Sequence, residues 1–342
     1  MARKPTLQQV ADASGLSIAT VDRVLNNRGG VKPEKERLVM EWARKLQLDR
    51  NLDLKPTRIL RVGVVIQHNS NPFFERVRQA AMRANQVFSM HNIQLSVHYF
   101  DLLTPQNTAR QIRKLGARLD GLLLSVNDTP EILEAVNEVS DIIPVLFFVT
   151  DLPHSKRVAY IGPDNERSGR VAGELMGRYL GETGGGDGAS EIVLVAGSFQ
   201  LMDQKLRRDG FADILKTRFP HCSIVAEIQT HEQLGALRQQ ISALLKQRPN
   251  LRGIYNLSAG NQPIAQALIA QGRERSVTFI THELTPQRAD LLRDGVLDAI
   301  IDQDPETVML VAIELLADRF GRWNGQSGGP STRFNLFIRE SL

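Results

Sequence analysis

The sequence predicts a small all-α headpiece followed by a large α/β body of two lobes, in which parallel sheets carry helices on both faces. Residues 6–46 carry helical periodicity with helix-capping residues, whereas short apolar runs alternate with amphipathic stretches from residue 60 onward. The length of 342 residues also exceeds the roughly 100–200 that one domain usually takes. We therefore divide the chain into a headpiece (1–48), a linker (49–59) and a body (60–342).

Charge is unevenly distributed along the chain. Residues 1–61 hold 13 Lys and Arg against 7 Asp and Glu, a net charge of +6. Residues 62–342 hold 29 against 31, a net charge of −2. A basic segment on a near-neutral body is typical of a protein whose first part binds a polyanion, and nucleic acid is the expected one.

The N-terminal stretch predicts two short helices joined by a tight turn, the helix-turn-helix arrangement. Thr6 and Gln9 form a capping box that satisfies two free N–H groups at the first helix start. Gly15 can adopt the left-handed conformation that ends this helix, and Ser17 is a good N-cap for the next.

The second helix has a buried side and an exposed side. Its inward stripe consists of Val21, Val24 and Leu25. Its opposite face carries Ile18, Ala19, Asp22, Arg23 and Asn26. An Arg among small and apolar groups suits the DNA major groove, where Arg pairs with guanine and apolar groups meet thymine methyl groups. A third helix from Pro33 would complete the core of a DNA-binding headpiece with Val39, Trp42 and Leu46.

This segment resembles the DNA-binding domain of the lactose-repressor (LacI) family. Residues 6–26 match the pattern T-L-x-x-V-A-x-x-[AS]-G-[LV]-S-x-x-T-V-x-R-V-[LV]-N throughout. The resemblance implies that bases are contacted by Ile18, Ala19 and Arg23. It also implies that Ser17, Thr20 and Asn26 lie near phosphates. Thr6, at the start of the first helix, is the remaining predicted DNA-binding residue of the headpiece.

Asp22 departs from the family pattern, which usually has Ser at this position. Phosphate would repel its carboxylate unless it accepts a hydrogen bond from a cytosine amino group, so we expect a different operator preference from better-known members. The alternative for the whole segment is a small three-helix bundle without a nucleic-acid role.

The linker can form only a short helix, because a proline ends it and one or two isolated turns are marginal in water. In the LacI family the equivalent segment folds when two copies meet on operator DNA, and a leucine wedges into the minor groove. Leu54 followed by Lys55 matches that position, although Asp49 stands where the family usually has Pro. The alternative is a solvated linker.

The body is predicted as two series of elements. The first has strands at 62–66, 95–99, 121–124 and 145–149, with helices at 72–90, 105–115 and 130–139. The second has strands at 192–195, 223–228, 253–256 and 277–280, with helices at 166–179, 203–217, 232–246 and 263–271. The last elements, at 297–301 and 306–320, are expected to return to the first lobe. Two such lobes form a cleft at the carboxyl ends of their strands, where open α/β sheets bind small ligands.

The body resembles the periplasmic sugar-binding-protein fold that the LacI family carries. The motifs include Asn71-Pro72-Phe73-Phe74, Gly162-x-Asp164-Asn165, Arg208-Asp209-Gly210-Phe211 and Asp302-Gln303-Asp304-Pro305. The resemblance covers nearly all of residues 60–342. It implies a sugar held between aromatic faces and polar hydrogen-bonding groups.

Nine residues are candidates for that effector cleft. The wall of the first lobe would consist of Asn71, Phe73 and Phe74. Lys205 stands where relatives usually have Arg, Glu283 where they usually have Asp, and Gln303 matches the Gln of ribose binders. The remaining candidates are Asp151, near a usual Asp position, and Asn256 or Asn261 for a further amide.

The alternatives for these residues are structural. Phe73 and Phe74 could be ordinary core, and Gln303 and Glu283 solvated loop residues. His68 and His282 flank the cleft without the paired spacing of a metal site. Lys in place of Arg replaces a bidentate fork by a point charge, and both Lys and Glu alter the reach of the side chain. The effector can therefore differ from the sugars of common family members, and a sugar acid, a polyol or a sugar phosphate is an alternative.

Composition and motifs exclude several other classes. Cys222 is the only cysteine, so we expect neither an intrachain disulfide nor a cysteine metal cluster. The chain shows no secretion signal, no run of membrane-spanning length, no nucleophile elbow and no glycine fingerprint of a cofactor. We expect no cofactor, no metal, no membrane partner and no enzyme activity, and a place in the bacterial cytoplasm at the nucleoid.

The sequence therefore predicts a transcription regulator, with repression the expected mode. Two chains would form a homodimer on pseudo-palindromic double-stranded operator DNA, and a small carbohydrate-type effector between the lobes would switch operator affinity. The missing heptad tail favours a dimer over a tetramer. The alternative is a DNA-binding regulator controlled by a protein partner, with a vestigial cleft.

Overall fold

The structure is a computed structural model of the chain. It describes residues 6–26, 28–46, 48, 58–67, 71–100, 104–181, 190–231, 233–323 and 329–342. Two predictions fall outside the described residues: the minor-groove wedge at Leu54 and Lys55, and the position of His68 beside the cleft.

The headpiece consists of three helices, α1 (Leu7–Ser14), α2 (Ile18–Leu25) and α3 (Pro33–Lys45). Local sequence sets their ends as predicted. The capping box of Thr6 and Gln9 is present, and Gly15 ends α1 with a φ of 67°. Val21 and Val39 are fully buried where the three helices meet, which gives this small unit a core of its own.

The first lobe is a five-stranded parallel sheet. Its elements are β1 (Leu60–Gln67), α4 (Pro72–Val87), β2 (Ile93–Phe100), α5 (Pro105–Gly116), β3 (Gly121–Leu124), α6 (Pro130–Ser140), β4 (Val145–Phe148) and β5 (Ala159–Ile161). The strand order is β2-β1-β3-β4-β5. Both faces are covered by apolar clusters, which is why the strands are near-continuous hydrophobic runs.

The second lobe is a six-stranded sheet. Its elements are α7 (Asn165–Leu180), β6 (Ser190–Ala196), α8 (Met202–Arg218), β7 (Cys222–Gln229), α9 (Leu237–Gln247), β8 (Leu251–Asn256), α10 (Asn261–Ala270), β9 (Thr278–His282), α11 (Pro286–Arg293) and β10 (Ala299–Asp302). The chain then forms α12 (Pro305–Arg319), and β11 (Asn335–Phe337) pairs antiparallel with β10 at the sheet edge. The strand order is β11-β10-β9-β8-β6-β7.

The prediction that both last elements return to the first lobe is wrong for the strand. β10 lies in the second sheet, where Ile300 pairs in parallel with Thr281 of β9. Helix α11, which the sequence did not predict, makes β9 and β10 one strand-helix-strand unit, and such units place their strands side by side. Only α12 returns, where Met309 and Ile313 are buried in the core of the first lobe.

Both sheets have a point where the strand order reverses, between β1 and β3 in the first lobe and between β6 and β8 in the second. Crevices at the carboxyl ends of such strands are the usual ligand sites of open α/β sheets. The described helices include none that is both long enough and apolar enough to cross a membrane. The predicted fold class, an all-α headpiece on a two-lobed α/β body, is confirmed.

Candidate functional site

A cavity with about 380 Å³ of empty space, part of it open to solvent, lies where strand ends of both sheets meet. The residues that line it lie at the ends of strands or near the starts of helices. The residues are Gln67, Asn71, Phe73, Phe74, Ser125, Val149, Thr150, Leu201, Asp203, Gln204, Arg207, Leu257, Ser258, Glu283 and Gln303. Crevices at the carboxyl ends of the strands are where open α/β sheets bind small molecules, so the position suits a small ligand.

The first lobe contributes an aromatic wall. Phe73 and Phe74 are buried, and their ring centroids are 5.3 Å apart in an edge-to-face arrangement. The Oδ1 atom of Asn71 accepts a hydrogen bond from the backbone N–H of Phe73 at 3.1 Å, as N-cap of α4. Pro72 occupies the first turn of this helix. These features lock the helix start that presents both rings to the cavity.

The cation of the cavity is Arg207, which is 2% exposed. Its Nη1 lies 3.7 Å from an oxygen of Asp203 and 3.6 Å from Oε1 of Glu283. Burial alone lowers the pKa of Arg207, but these carboxylates outweigh it and raise the pKa, so the guanidinium stays charged. One guanidinium thus lies between two carboxyl groups.

The two carboxyl groups differ from ordinary surface acids. Burial raises the pKa of Glu283 to about 7, against the opposing charge of Arg207. Burial also raises the pKa of Asp203, again opposed by Arg207. The proton content of the cavity therefore changes near neutral pH.

Four buried oxygen atoms of the lining have no hydrogen-bond partner among the described residues. They are Gln67 Oε1, Asp203 Oδ1, Glu283 Oε2 and Gln303 Oε1. The amide of Gln303 is oriented, because its Nε2 donates to the other oxygen of Glu283 at 2.7 Å. Buried polar groups are normally paired, so these atoms indicate a ligand that supplies donors.

Two lining residues hold a backbone conformation that L-residues rarely adopt. Val149 has a φ of 66° and Glu283 a φ of 68°. The guanidinium of Arg288 secures the second position, since its Nη1 donates to the carbonyls of His282 at 2.7 Å and Glu283 at 2.9 Å. Such strain concentrates at binding sites, where the surrounding structure enforces it.

The structure places four predicted residues away from this lining. The carboxylate of Asp151 accepts a hydrogen bond from Arg157 Nη2 at 2.8 Å. Asn256 and Asn261 are buried beyond the cavity, and their side-chain amide groups lie 3.0 Å apart. Lys205 is exposed.

The predicted effector residue Lys205 thus does not line the cavity, and the cation that does is Arg207. Both residues belong to α8, but two positions along a helix turn the side chain by about 200°. Asp203, whose side chain enters the cavity, thus leaves Lys205 on the opposite face. The spacing of Asp203, Arg207 and Phe211, all buried, is the periodic pattern that could have identified the inward face.

His282 lies behind the cavity in the hydrophobic interior of the second lobe. Its Nε2 is 2.6 Å from the hydroxyl oxygen of Tyr255. Burial lowers the pKa of His282 well below its ordinary value, so the ring is neutral at physiological pH. This hydrogen bond gives the histidine a structural role.

The predicted DNA-binding face of the headpiece is exposed on α2. Ile18 is 46% exposed, and Ser17, Ala19, Arg23 and Asn26 are also exposed. Thr20 is half-buried, with its hydroxyl 2.9 Å from that of Ser17, and Thr6 caps α1.

The carboxylate of Asp22 is paired within the headpiece. One oxygen accepts from Arg28 Nη1 at 2.8 Å, and the other accepts from Asn26 Nδ2 at 2.6 Å. The expected repulsion between Asp22 and phosphate is therefore reduced by an internal ion pair. Sequence reasoning did not pair these residues, because Arg28 lies in the turn after α2.

Comparison with known families assigns both parts of the chain. Residues 62–321 match the periplasmic binding protein domain, and residues 6–51 match the bacterial regulatory proteins of the lacI family. The HTH-type transcriptional regulator RegA of Clostridium acetobutylicum is 29% identical over 138 residues, which are 39% of this chain and 40% of that protein. The chain thus spans about two fifths of that relative's length.

Two further matches extend over most of the chain. The ribose operon repressor of Halalkalibacterium halodurans is 25% identical over 268 residues, covering 73% of this chain and 70% of that protein. A solute-binding protein of an ABC transporter from Burkholderia graminis C4D1M, solved in complex with D-arabinose, has a TM-score of 0.74 at 23% identity, covering 84% of this chain and 98% of that one. The structural likeness shows the fold. The chain therefore belongs to the periplasmic binding protein domain family through its body, and its headpiece matches the model of the bacterial regulatory proteins of the lacI family.

Proposed function

We propose that this protein is a transcription regulator whose affinity for operator DNA is controlled by a neutral polyhydroxyl compound, a monosaccharide or a polyol, bound between the lobes. The observation that carries this proposal is the set of four unpaired acceptor oxygens in a cavity with an aromatic wall. Hydroxyl groups supply the missing donors, and the C–H faces of a sugar ring pack on Phe73 and Phe74.

The charges of the cavity favour a neutral ligand over a sugar acid or a sugar phosphate. Arg207 already lies between Asp203 and Glu283, so its charge is balanced within the protein. An added carboxylate or phosphate would meet acceptor atoms and at least one buried negative charge. The name of one relative, a ribose operon repressor, agrees with a neutral sugar.

The headpiece is the proposed DNA-binding surface. Its exposed face on α2 combines Arg23 with Ile18 and Ala19, a set suited to base edges in the major groove. Two chains, acting as a homodimer in the bacterial cytoplasm, would contact the two halves of a pseudo-palindromic operator. The ligand acts by its different affinities for the DNA-competent and DNA-incompetent arrangements of the lobes, and repression is the expected mode.

Calorimetry on the full chain tests the ligand class. The panel consists of D-ribose, D-arabinose, D-allose, D-fructose and sorbitol, with ribose 5-phosphate and gluconate as anionic counterparts. We expect binding of at least one neutral compound and no binding of the anions. Binding of the anions alone would overturn the ligand class, and no binding across the panel would favour a regulator that answers to a protein partner.

Variants of the neighbouring cations test which residue serves the cavity. Arg207→Met removes the buried cation and should abolish binding, whereas Lys205→Ala, two positions away on the exposed face of α8, should leave it unchanged. If Arg207→Met fails to fold, Gln67→Ala replaces it, because that change removes one unpaired acceptor and should weaken binding about tenfold. Loss of binding in Lys205→Ala instead would contradict the assignment.

Selection from a pool of random-sequence duplexes tests the DNA-binding role. The protein should enrich a pseudo-palindromic site, and Arg23→Ala should reduce affinity for that site by about tenfold or more, since one good base contact contributes roughly 1–3 kcal/mol. Enrichment of no sequence at moderate salt would contradict the proposal.

A further inference from the structure

Helices α7 and α8 approach each other to backbone contact. A Cβ atom on Gly169 of α7 would overlap the backbone of Arg207, and one on Gly210 of α8 would overlap the carbonyl of Glu166. Because both positions are glycine, the helix starts lie side by side. Asn165, the first residue of α7, is thereby brought to the buried guanidinium, and Arg207 Nε donates to Asn165 Oδ1 at 2.9 Å.

A chain of hydrogen bonds continues from Asn165 into the other lobe. Asn165 Nδ2 donates to the hydroxyl oxygen of Tyr160 at 2.9 Å, and this hydroxyl donates to the carbonyl of Val149 at 3.2 Å. The direction is fixed, since a guanidinium can only donate and a carbonyl can only accept. Asn165 begins the second lobe and Tyr160 belongs to β5 of the first, so the chain spans the crossover at residues 162–164.

This series of hydrogen bonds ends on a strained turn that lines the cavity. The N–H of Thr150 donates to the carbonyl of Phe148 at 2.7 Å, which closes a three-residue turn around Val149 with its φ of 66°. A turn of this kind is rare, and a β-branched residue at its centre makes it more strained. It persists only where its surroundings hold it.

The same turn has a second tie to α8. The backbone N–H of Asp203 donates to Thr150 Oγ1 at 3.4 Å. Asp203 lies one helical turn before Arg207, and both side chains line the cavity. Both charged residues of α8 in the cavity are therefore connected to one turn of the first lobe, Asp203 through its backbone N–H and Arg207 through Asn165 and Tyr160.

We propose that Asn165 and Tyr160 are positioning residues that couple Arg207 in the second lobe to the turn at residues 148–150 in the first. Neither is part of the cavity lining. The turn keeps its strained form while these hydrogen bonds are intact. A ligand that reorients Arg207 changes how firmly the turn is held. This coupling rests on the proposed function, because it gives the bound ligand a route to the relation between the lobes.

Hydrogen exchange in the unliganded full chain tests the coupling without any ligand. Tyr160→Phe removes the hydroxyl and keeps the ring, so exchange at Thr150, read from fragments spanning 145–152, should accelerate about tenfold. Tyr255→Phe is the matched control, since it also removes a buried hydroxyl beside Arg207 but one that bonds His282 within the second lobe. Unchanged exchange in Tyr160→Phe, or equal acceleration in the control, would overturn the proposal.

A second variant keeps the test decisive if Tyr160→Phe does not fold. Asn165→Asp still accepts from Arg207 but cannot donate to Tyr160, so the tyrosine hydroxyl turns to the new carboxylate and releases the carbonyl of Val149. Exchange at Thr150 should accelerate although the change lies in the other lobe. Exchange at Thr150 in the double variant should be no faster than in either single variant, because both substitutions interrupt the same series of hydrogen bonds. Independent structural effects would instead add.

A ligand measurement separates this proposal from the proposed function. For any neutral sugar that binds the parent protein, Tyr160→Phe should raise the dissociation constant about fivefold although Tyr160 does not line the cavity, and Tyr255→Phe should not. An unchanged dissociation constant would contradict transmission to the ligand. If no compound binds the parent protein, the proposed function fails while the exchange result still decides the coupling.

Discussion

Glu283 shows how a single buried carboxyl group couples the cavity to pH. It lies beside Arg207 and Gln303, in a backbone conformation that Arg288 secures. Burial raises the pKa of Glu283 to about 7, above the value of about 4.5 of an unperturbed group. The folded chain therefore binds more protons than the unfolded chain between these two pH values.

The contribution of Glu283 to the stability of the unliganded protein should consequently fall as pH rises from 5 to 7. The free energy of unfolding decreases with pH wherever the folded state holds more protons, and the loss is complete above the folded-state pKa. Glu283→Gln should remove this part of the slope and raise the melting temperature at pH 8. Melting curves across this range provide the measurement, with Glu340→Gln on the exposed C-terminal segment as control. An unchanged slope in Glu283→Gln would contradict the assignment.

Local elements were largely predictable from sequence, because their determinants are close together in the chain. The capping box at Thr6, the left-handed Gly15 and the cap at Ser17 each act within a few residues, and the structure contains all three. The identity of the cavity cation was not predictable in the same way. It depends on which face of α8 meets α7: the helical spacing of Asp203, Arg207 and Phe211 marks a candidate face in the sequence, and the packed pair of helices shows that this is the face in contact.

The same helix pair yields a stability prediction. Gly169→Ala places a methyl group on the backbone of Arg207, so the helices must separate, and we expect a loss of roughly 1–3 kcal/mol in the free energy of unfolding. Gly235→Ala is the matched control, since a Cβ there meets nothing within 4 Å and its φ is not in the left-handed region. Denaturant unfolding of both variants gives the comparison. Equal stability of the two would show that the close approach is not needed.

At the scale of the whole molecule, the sequence predicted two α/β lobes because alternating apolar runs and amphipathic stretches mark parallel sheets. It assigned β10 to the wrong lobe, since a short apolar run fits either sheet and only pairing with β9 decides. The cleft followed from the topology, whereas most of its polar lining did not. Gln67, Asp203 and Gln204 approach one another only after both lobes have folded.

An ion pair holds the lobes in the arrangement observed. Arg76 of α4 in the first lobe lies 2.6 Å from Asp302 at the end of β10 in the second. Arg76→Gln should shift the unliganded protein towards more open forms, because Asp302 is only 5% exposed and loses its cation. Small-angle scattering should then give a larger radius of gyration.

Arg83→Gln is the control for this measurement, since Arg83 also forms a 2.6 Å ion pair from α4, but with Glu306 of α12 in the same lobe. The control should leave the radius of gyration unchanged. A similar increase in both variants would mean that loss of charge on α4, rather than the contact between lobes, opens the molecule.

Gln303 lines the cavity and also belongs to the stretch between β10 and α12 that passes from one lobe to the other. The same short stretch of chain thus contributes to the cavity and connects the two lobes. Substitutions of Gln303 that change which ligand binds should therefore also change the arrangement of the lobes in the unliganded protein. A ligand sensor would therefore be easier to engineer from this protein by substitutions in the aromatic wall, because these leave the connection between the lobes unchanged.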